Sequence, residues 1–308
     1  MSRADYGVVL MTYGSPSSLD DVPRYMTAVR GGREPSRELI AEFERRYEII
    51  GGSPLVEITQ AQAAALEGEL AGEALVRAAM RFSEPTITSA LRELEAAGVT
   101  NVVGIIMSPQ YSPLLMIGYE RAIEAACEEI DWPSDRVAIV GAWHDEPAFI
   151  RAVASRIMQA RKGDHVLLTA HSLPRRVAEQ EPGYIDQLRD TARAVAGAVG
   201  LSEEEWTFCW QSAGHEPGEW MKPDFADLMP LLAARGHRSV LVAPVQFLAD
   251  HLEILYDIDV GAREQAGLHG LELRRIESLN VDQGFISALA AVVKRTTAEG
   301  QLEVARGR

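Results

Sequence analysis

The chain contains little cysteine. Its 308 residues include two cysteines, Cys127 and Cys209, and no CxxC pair. Disulfide-stapled folds need several paired cysteines and cysteine-ligated iron–sulfur clusters need four thiolates, so the sequence excludes both classes. The GxGxxG, GxxxxGKS/T, GxSxG and HExxH patterns are also missing. Dinucleotide, P-loop, serine-hydrolase and zincin chemistries therefore lack motif support.

Basic residues are outnumbered by acidic ones. The chain has 30 Lys and Arg against 45 Asp and Glu, a formal net charge of −15. Such a surface repels polyphosphate and anionic lipid, which argues against a nucleic-acid partner. No uncharged apolar stretch approaches the ~20 residues of a spanning helix, and the N-terminal residues do not resemble a signal peptide. We therefore expect a cytoplasmic protein without stable membrane insertion.

The remaining composition is that of a folded protein, with 47% hydrophobic and 24% charged residues. Short β-rich runs alternate with amphipathic runs of helical length, which is typical of parallel sheets with crossover helices. A helix capped by Ser36 ends at Gly51, and a capping-box pattern at Thr59 predicts another through Leu70. The predicted strands are Gly7–Thr12, Asn101–Met107, Val137–Ala142, His165–Thr169, Trp206–Trp210, Ser239–Ala243 and Leu271–Ile276.

A weak internal repeat suggests two similar lobes. An apolar strand followed by a polar turn and proline occurs at 9–16 and again at 166–174, and an apolar strand ending in Pro-x-Gln-aromatic occurs at 101–111 and at 239–247. We predict an α/β fold of two Rossmann-like lobes with parallel sheets related by a pseudo-two-fold repeat. The expected bounds are 1–142 and 143–308, with the last helix packing back on the first lobe.

Ligands of open parallel sheets bind at the carboxyl ends of the strands, so a cleft between the lobes is the expected site. His171 follows a buried strand directly and is expected to project from its tip, although an isolated histidine is often only a structural group. Asp250, Glu253 and Asp257 have the spacing of one helical face. The alternative interpretation of this acidic stripe is a solvated edge.

Arginines are dense near the N-terminus, at positions 24, 30, 33, 45 and 46, and a further one is Arg81. Because arginine binds carboxylates bidentately, this density favours an acidic organic ligand. Helix faces on which these arginines pair with neighbouring glutamates are the alternative. Together with the histidine and the carboxylates, the set fits proton removal combined with handling of a hard cation.

Motifs along nearly the whole chain resemble the ferrochelatases, which insert Fe²⁺ into a porphyrin. They are MTYGSP at 11–16, VRGGR at 29–33, RRYEIIGGSPL at 45–55, SPQYSP at 108–113, TAHSLP at 169–174, CWQSAG at 209–214 and QFLADHLEILYD at 246–257. The resemblance implies that His171 is the catalytic base or metal-facing residue and that Glu253 is its partner. Asp257 would extend the carboxylate row as a relay for protons or iron.

Tyr13 resembles the tyrosine that ligates iron in the product of the coproporphyrin III branch of this family. In that branch the matching positions contact the propionates of the porphyrin, and here they are Arg30, Arg46, Tyr47, Ser53, Ser112 and Tyr119. The chain departs from the branch at Gly261, where the acidic row often continues, and at Arg81-Phe82, where a histidine ligand is lost. No C-terminal cysteine cluster is present.

The resemblance implies a lyase that inserts ferrous iron into coproporphyrin III to give coprohaem in haem biosynthesis. Iron is then a substrate, and we expect no tightly bound cofactor and no iron–sulfur cluster. The partners would be the porphyrin, ferrous iron and the next haem-pathway enzyme, with the chain a monomer. The alternatives are a protoporphyrin IX ferrochelatase, a cobalt or nickel chelatase of sirohydrochlorin type, and a haem carrier without turnover.

Overall fold

A computed structural model describes residues 6–214 and 218–298 of the chain. Within them, eight strands form two separate four-stranded sheets that are parallel throughout, with the orders β2-β1-β3-β4 and β6-β5-β7-β8. The strands are β1 (Tyr6–Thr12), β2 (Ala74–Met80), β3 (Val102–Ile106), β4 (Val137–Ile139), β5 (His165–His171), β6 (Trp206–Gln211), β7 (Ser239–Pro244) and β8 (Glu272–Arg275).

Helices connect the strands in each sheet. They are α1 (Val22–Val29), α2 (Arg37–Ile50), α3 (Leu55–Glu69), α4 (Ile87–Ala96), α5 (Pro113–Glu129), α6 (Pro147–Ala160), α7 (Arg175–Gln180), α8 (Pro182–Val199), α9 (Phe225–Ala234), α10 (Leu252–Leu255), α11 (Arg263–Leu268) and α12 (Gln283–Ala298). A π-helix, Asp257–Ala262, lies between α10 and α11.

The described chain divides into two compact units. The first comprises residues 6–107, 113–143 and 280–298, so α12 belongs to it together with the first sheet. The second comprises residues 108–112, 144–214 and 218–279. In the first unit α3 and α4 pack on β1 and β2, and in the second α8 packs on β5 and β6.

The central strands β1 and β5 are apolar because both of their faces are covered. All seven residues of β1 are buried, and six of the seven residues of β5 are buried. Near-continuous apolar runs are the expected sequence of parallel strands that carry helices on both faces. His171 is the one residue of β5 that is only partly buried, which leaves its side chain accessible at the carboxyl end of the strand.

The predicted repeat is confirmed by the topology of the sheets. The paired segments at 9–16 and 166–174 include the carboxyl ends of β1 and β5, and those at 101–111 and 239–247 contain β3 and β7. In the two sheets these strands take equivalent places, with the first strand of the repeat second in order and the next strand beside it. The α/β fold with two Rossmann-like parallel sheets is therefore as expected.

One strand was missed by the sequence analysis. The segment ALVRAAM forms β2 and pairs in parallel with β1 from Tyr6 opposite Ala74 to Thr12 opposite Met80. Its three alanines give it little intrinsic β-propensity, so long-range pairing rather than local preference makes it a strand. The same pairing places Arg81, the residue that follows β2, next to the end of β1.

Two helix boundaries illustrate what local signals predict. Ser36 caps α2, its hydroxyl accepting a hydrogen bond from the Leu39 N–H at 3.2 Å, and Gly51 ends the helix with φ of 72°. The start predicted at Thr59 is wrong, because α3 begins at Leu55. The Thr59 hydroxyl donates instead to the Leu55 carbonyl at 2.7 Å, inside the helix.

None of the helices in the described part of the chain is both long enough and apolar enough to cross a bilayer.

Candidate active site

His171 lies at the carboxyl end of β5 in the second unit, with 27% of its side chain exposed. Its ring Nδ1 is hydrogen-bonded to the carbonyl oxygen of the next residue, Ser172. A carbonyl only accepts hydrogen bonds, so Nδ1 carries the proton in the neutral ring and Nε2 keeps its lone pair. Nε2 is therefore the basic nitrogen of the ring.

Glu253 is the partner of that nitrogen. Its Oε2 lies 3.7 Å from Nε2 of His171 and 3.8 Å from Nε2 of His251. Burial raises the pKa of Glu253, but the charge of His171 and the contact with His251 outweigh this effect and lower the pKa to about 2. Glu253 is therefore ionised at neutral pH and stabilises a proton on either imidazole.

His251 is a member of this cluster that the sequence analysis did not single out. Its Nδ1–H donates to the Ala249 carbonyl at 2.9 Å, so its Nε2 also faces Glu253 with a lone pair. Burial lowers the pKa of His251, whereas Glu253 and the Ala249 carbonyl raise it by more, and the net value lies above the ordinary one. The sequence signal was the His-x-Glu spacing within the DHLE motif.

The Phe247 ring contacts both imidazoles. Its centroid lies 6.3 Å from that of His171 and 4.6 Å from that of His251, and both contacts are edge-to-face. The Phe247 ring restricts the rotation of the two histidines, and it limits the number of water molecules that hydrate them.

Two glutamines of the recognised motifs hold the backbone around the histidine. The Gln246 side-chain oxygen accepts from the His171 N–H at 2.8 Å, while its NH₂ group donates to the Tyr184 hydroxyl at 2.7 Å. The Gln211 NH₂ group donates to the Glu253 carbonyl at 3.4 Å. These contacts join the segment after β7 to the end of β5 and the end of β6 to α10, so they preorganise the histidine and the carboxylate.

The predicted helical face that carries Asp250, Glu253 and Asp257 does not form. Asp250 precedes α10 and lies in extended chain, and Asp257 begins the π-helix, in which the Gly261 N–H donates to the Tyr256 carbonyl at 2.9 Å. Glu253 is thus the one member of the stripe on α10. Local spacing assumed a regular helix, whereas a π-turn changes the angle between successive side chains.

Asp250 takes part in a separate ion-pair cluster built on Arg275. The guanidinium donates to both Asp259 oxygens at 3.1 and 2.8 Å and lies 3.4 Å from Asp250. Ser278 completes the cluster by donating to Asp250 at 2.7 Å. Because Asp250 precedes Glu253 and Asp259 follows it, this cluster fastens the chain on both sides of the carboxylate.

We predict that Arg275→Met lowers the free energy of unfolding by about 3 kcal/mol, since it removes the nearest cation from two largely buried carboxylates. The Arg275 side chain is 12% exposed, and those of Asp250 and Asp259 are 22% and 23% exposed. Urea unfolding measures the loss. Arg263→Met is the matched control, because Arg263 also contacts Asp259, at 3.7 Å, but is 58% exposed. The control is expected to lose less than about 1 kcal/mol, and equal losses would contradict the prediction.

Tyr13 follows β1 in the first unit and is 43% exposed. Its ring contacts Phe82 edge-to-face at 5.2 Å between centroids and Tyr119 at 5.8 Å. The Phe82 N–H donates to the Tyr13 carbonyl at 3.1 Å, which continues the β1–β2 pairing beyond the strands. An accessible phenol at a strand end is a suitable ligand for a metal ion.

The other expected propionate contacts differ in their surroundings. Arg30 has a buried Nε without a hydrogen-bond partner in the described chain. The Nε of Arg46 donates to Glu42 at 2.8 Å. Tyr47 is 5% exposed, and the Ser53 hydroxyl accepts from the Leu55 N–H at 3.4 Å. Arg45 pairs with Glu42 on a helix face, as the alternative interpretation expected, whereas Arg24 pairs with Asp21.

Ser112 and Tyr119 are more deeply buried than a substrate contact requires. Ser112 is fully buried and belongs to the second unit, and Tyr119 on α5 is 4% exposed. Burial raises the pKa of Tyr119 well above its ordinary value, so its hydroxyl is a neutral hydrogen-bond donor. Contact of these two residues with a propionate stays a prediction.

A cavity of about 1230 Å³ lies within the first unit. This volume exceeds the roughly 300–1,000 Å³ of common small-molecule pockets, so it accommodates a large ligand. The residues that line it include Ser15, Arg24, Tyr47, Ser53, Arg81 and Phe82.

The apolar run at 114–117 forms the first turn of α5. Leu114 and Ile117 are 44% and 38% exposed, and Met116 is 7% exposed. Leu114 and Ile117 therefore form an exposed apolar surface at the start of α5.

Among the described residues, no group of three or more His, Cys, Asp or Glu side chains is arranged to hold a metal ion. The pair His171 and Glu253, with His251 beside them, offers nitrogen and oxygen donors of graded softness to an incoming cation. A basic imidazole nitrogen beside an ionised carboxylate, at a strand end of an α/β fold with two Rossmann-like sheets, is an arrangement suited to proton transfer and to contact with a metal ion.

Comparison with known proteins agrees with this chemistry. The family model described as ferrochelatase matches residues 5–297. A ferrochelatase of Deinococcus radiodurans is 38% identical over 95% of this chain and 96% of its own, and a coproporphyrin III ferrochelatase of Geobacillus thermodenitrificans is 36% identical over 97% and 99%. The structure titled SirB from Bacillus subtilis with Fe3+ has a TM-score of 0.61 at 13% identity, covering 97% of this chain and 98% of that one, which shows a shared fold. The chain belongs to the ferrochelatase family, whose members are metal-inserting lyases of haem biosynthesis.

Proposed function

We propose that this enzyme inserts ferrous iron into coproporphyrin III and releases coprohaem. The observation that carries the chemistry is the contact of the basic Nε2 of His171 with an ionised Glu253. The choice of substrate is supported by the relative from Geobacillus thermodenitrificans, which is a coproporphyrin III ferrochelatase, and by the arginines of the first unit.

Insertion exchanges two pyrrole N–H protons for one Fe²⁺ ion. The His171 Nε2 accepts the two pyrrole protons one after the other and releases the first before it takes the second, because its Nδ1–H is engaged with the Ser172 carbonyl and the lone pair at Nε2 is available. Glu253 stabilises the imidazolium that results. Asp257, whose negative charge also raises the pKa of His251, passes protons outward or iron inward.

In this proposal His171 and Glu253 also supply the nitrogen and oxygen ligands that receive iron as it loses water. Both are electron-pair donors in the forms assigned above, neutral imidazole and carboxylate. Tyr13 then ligates the iron of the product as an axial phenolate. Iron is handled throughout as a substrate.

In this proposal the propionates of the porphyrin are bound by several side-chain donors. Coproporphyrin III has four propionates where protoporphyrin IX has two, so more carboxylates need donors. The buried Nε of Arg30, which lacks a partner in the described chain, supports such a role because an unsatisfied guanidinium nitrogen gains a strong hydrogen bond from a carboxylate. The proposed donors are Arg30, Arg46, Tyr47, Ser53, Ser112 and Tyr119.

We expect kcat/KM for coproporphyrin III to exceed that for protoporphyrin IX by about 10²-fold or more. Two further charge-assisted contacts, each contributing on the order of 1.5–3 kcal/mol, account for this preference after desolvation is discounted. The measurement is initial rates of anaerobic Fe²⁺ insertion with each porphyrin in the same detergent-free buffer, followed by absorbance. A preference for protoporphyrin IX would assign the chain to the other branch, and porphyrin binding without turnover would indicate a carrier.

Arg46→Ala should lose activity with coproporphyrin III, and Arg45→Ala is the matched control. Both side chains pair with Glu42, but Arg46 is 20% exposed and Arg45 is 50% exposed, so either variant leaves Glu42 one cation. Loss in Arg45→Ala equal to that in Arg46→Ala would show that the helix face, rather than a propionate contact, matters.

A cytoplasmic, monomeric enzyme that passes its product to the next enzyme of haem biosynthesis stays a prediction. Sedimentation of the purified protein, with and without that enzyme, tests the monomeric state and the interaction.

A further inference from the structure

Arg81 has an unusual setting for a residue at the end of a strand. Its N–H donates to the Thr12 carbonyl at 2.9 Å, just as the N–H of Phe82 donates to that of Tyr13 at 3.1 Å. The backbone of Arg81 and Phe82 is thereby fastened beside that of Tyr13. Because these two hydrogen bonds hold the two backbones side by side, the Arg81 side chain begins close to the Tyr13 ring.

Three aromatic rings surround the Arg81 guanidinium. Its Cζ lies 4.7 Å from the centroid of Phe82, 5.5 Å from that of Tyr119 and 5.8 Å from that of Tyr13. Guanidinium groups are attracted to ring faces at these distances, and the attraction strengthens where water is displaced. The tyrosine that is proposed to ligate iron therefore has a fixed cation next to its ring.

An ion pair does not explain this position of Arg81. Within residues 6–214 and 218–298 no carboxylate forms a salt bridge with Arg81, whereas the nearby Arg24 is held by Asp21 through two nitrogens, at 2.5 and 2.9 Å. The Arg81 side chain is thus held by rings and by packing.

Gly118 on α5 provides the space that this packing needs. A Cβ atom at Gly118 would overlap three atoms of the Arg81 guanidinium, and Gly118 is itself buried. Its backbone is helical, so the glycine is not required by its conformation. The next residue, Tyr119, contributes one of the three rings. Gly118 therefore leaves the space that the Arg81 guanidinium occupies, and Tyr119 provides one of the rings that the guanidinium contacts.

We propose that Arg81, which packs against Gly118, is a positioning residue that fixes the orientation of the Tyr13 ring. Tyr13 is 43% exposed, and its ring also contacts Phe82 and Tyr119. A fixed ring keeps the phenol oxygen in one place for axial ligation, a consequence that rests on the proposed function. Gly118 thereby affects the position of the Tyr13 phenol through Arg81.

The first test uses the protein without porphyrin and with ¹³C-labelled tyrosine rings. The Tyr13 ring signal is identified by its loss in Tyr13→Phe. We expect this signal to shift and broaden in Arg81→Met and in Gly118→Ala, and to stay near its original position in Arg81→Lys, which retains the cation. An unchanged Tyr13 signal in Arg81→Met would overturn the proposal.

The matched control is Gly68→Ala. Gly68 is also a helical glycine, on α3, but a Cβ there meets nothing within 4 Å. It should leave the Tyr13 signal unchanged. Since Arg81→Met introduces no overlap with Gly118, it decides the question even where Gly118→Ala does not fold.

The second test uses ferric coprohaem and separates this inference from the proposed function. We expect Arg81→Met and Gly118→Ala to move the phenolate-to-iron charge-transfer band and to lower kcat about 10-fold with KM nearly unchanged, as misplacement of a reacting group does. An unaltered spectrum in Tyr13→Phe would refute axial ligation while the ring signal still supports the positioning role. An altered spectrum in Tyr13→Phe, with both other variants like the parent, would refute the positioning role alone.

Discussion

Replacing His171 by alanine is expected to lower the turnover of iron insertion by about 10²-fold or more, the usual loss when a general base is removed. The reason is the placement of its Nε2, which keeps a lone pair because Nδ1 donates to the Ser172 carbonyl, and which lies 3.7 Å from Glu253. Water has to accept the pyrrole proton in the variant, without the help of the carboxylate. Anaerobic single-turnover measurements report the loss directly.

Porphyrin binding should survive in His171→Ala, because the proposed propionate donors are other residues. Fluorescence quenching of coproporphyrin measures it. His269→Ala is a suitable control, since His269 is an exposed histidine of the same unit and is not part of the cluster. Turnover of His171→Ala equal to that of the parent would remove His171 from the mechanism.

Replacing Glu253 by glutamine is expected to slow insertion by about 10²-fold, because the substitution preserves size but removes a preorganised charge. The charge is present over the whole working range, since the pKa of Glu253 is held at about 2. Its lowered pKa means that ionisation stabilises the fold above the ordinary pKa of 4.5 and that this contribution is lost as the pH falls toward 2. With 36% of the side chain exposed, we expect a loss in unfolding free energy of only about 1 kcal/mol.

Asp257→Asn should show a smaller decrease in rate, because Asp257 is proposed to act as a relay rather than as the partner of the base. Glu264→Gln, at an exposed site on α11, controls for the loss of one negative charge. Rates of insertion and urea unfolding measured on the same preparations separate chemistry from stability. Parent-like rates in both Glu253→Gln and Asp257→Asn would return the carboxylates to the role of a solvated edge.

Strand and cap positions were predictable because local physics determines them. Strands β1 and β5 consist almost wholly of buried residues, and their apolar runs are visible without any knowledge of their neighbours. Ser36 and Gly51 mark the ends of α2 because an N-cap hydroxyl and a left-handed C-cap each depend on a few adjacent residues. The strand β2 was not predictable in this way, since its alanines become a strand only by pairing with β1.

His171 and Glu253 were identified from the sequence, but the state of each depends on contacts distant in sequence. Their separation of 3.7 Å joins the end of β5 to α10. The acidic stripe illustrates the limit, because helical spacing grouped Asp250 with Glu253 while the fold pairs Asp250 with Arg275. A periodic pattern indicates which side of an element a residue occupies, and it contains no information about which partner the opposite element supplies.

The amino-acid order alone was sufficient for the two-lobed α/β class, the repeat and the family, since hydrophobic periodicity and motif spacing are properties of the sequence itself. Tertiary structure decided which nitrogen of His171 is basic, that His251 joins Glu253, and that the Arg81 guanidinium rests on Gly118 among aromatic rings. The first two depend on how the folded chain orients neighbouring residues, and the third depends on distances of a few ångströms between segments far apart in the chain. Hydrogen-bond direction, ion pairing and steric space all change over such distances, so they arise only when the chain has folded.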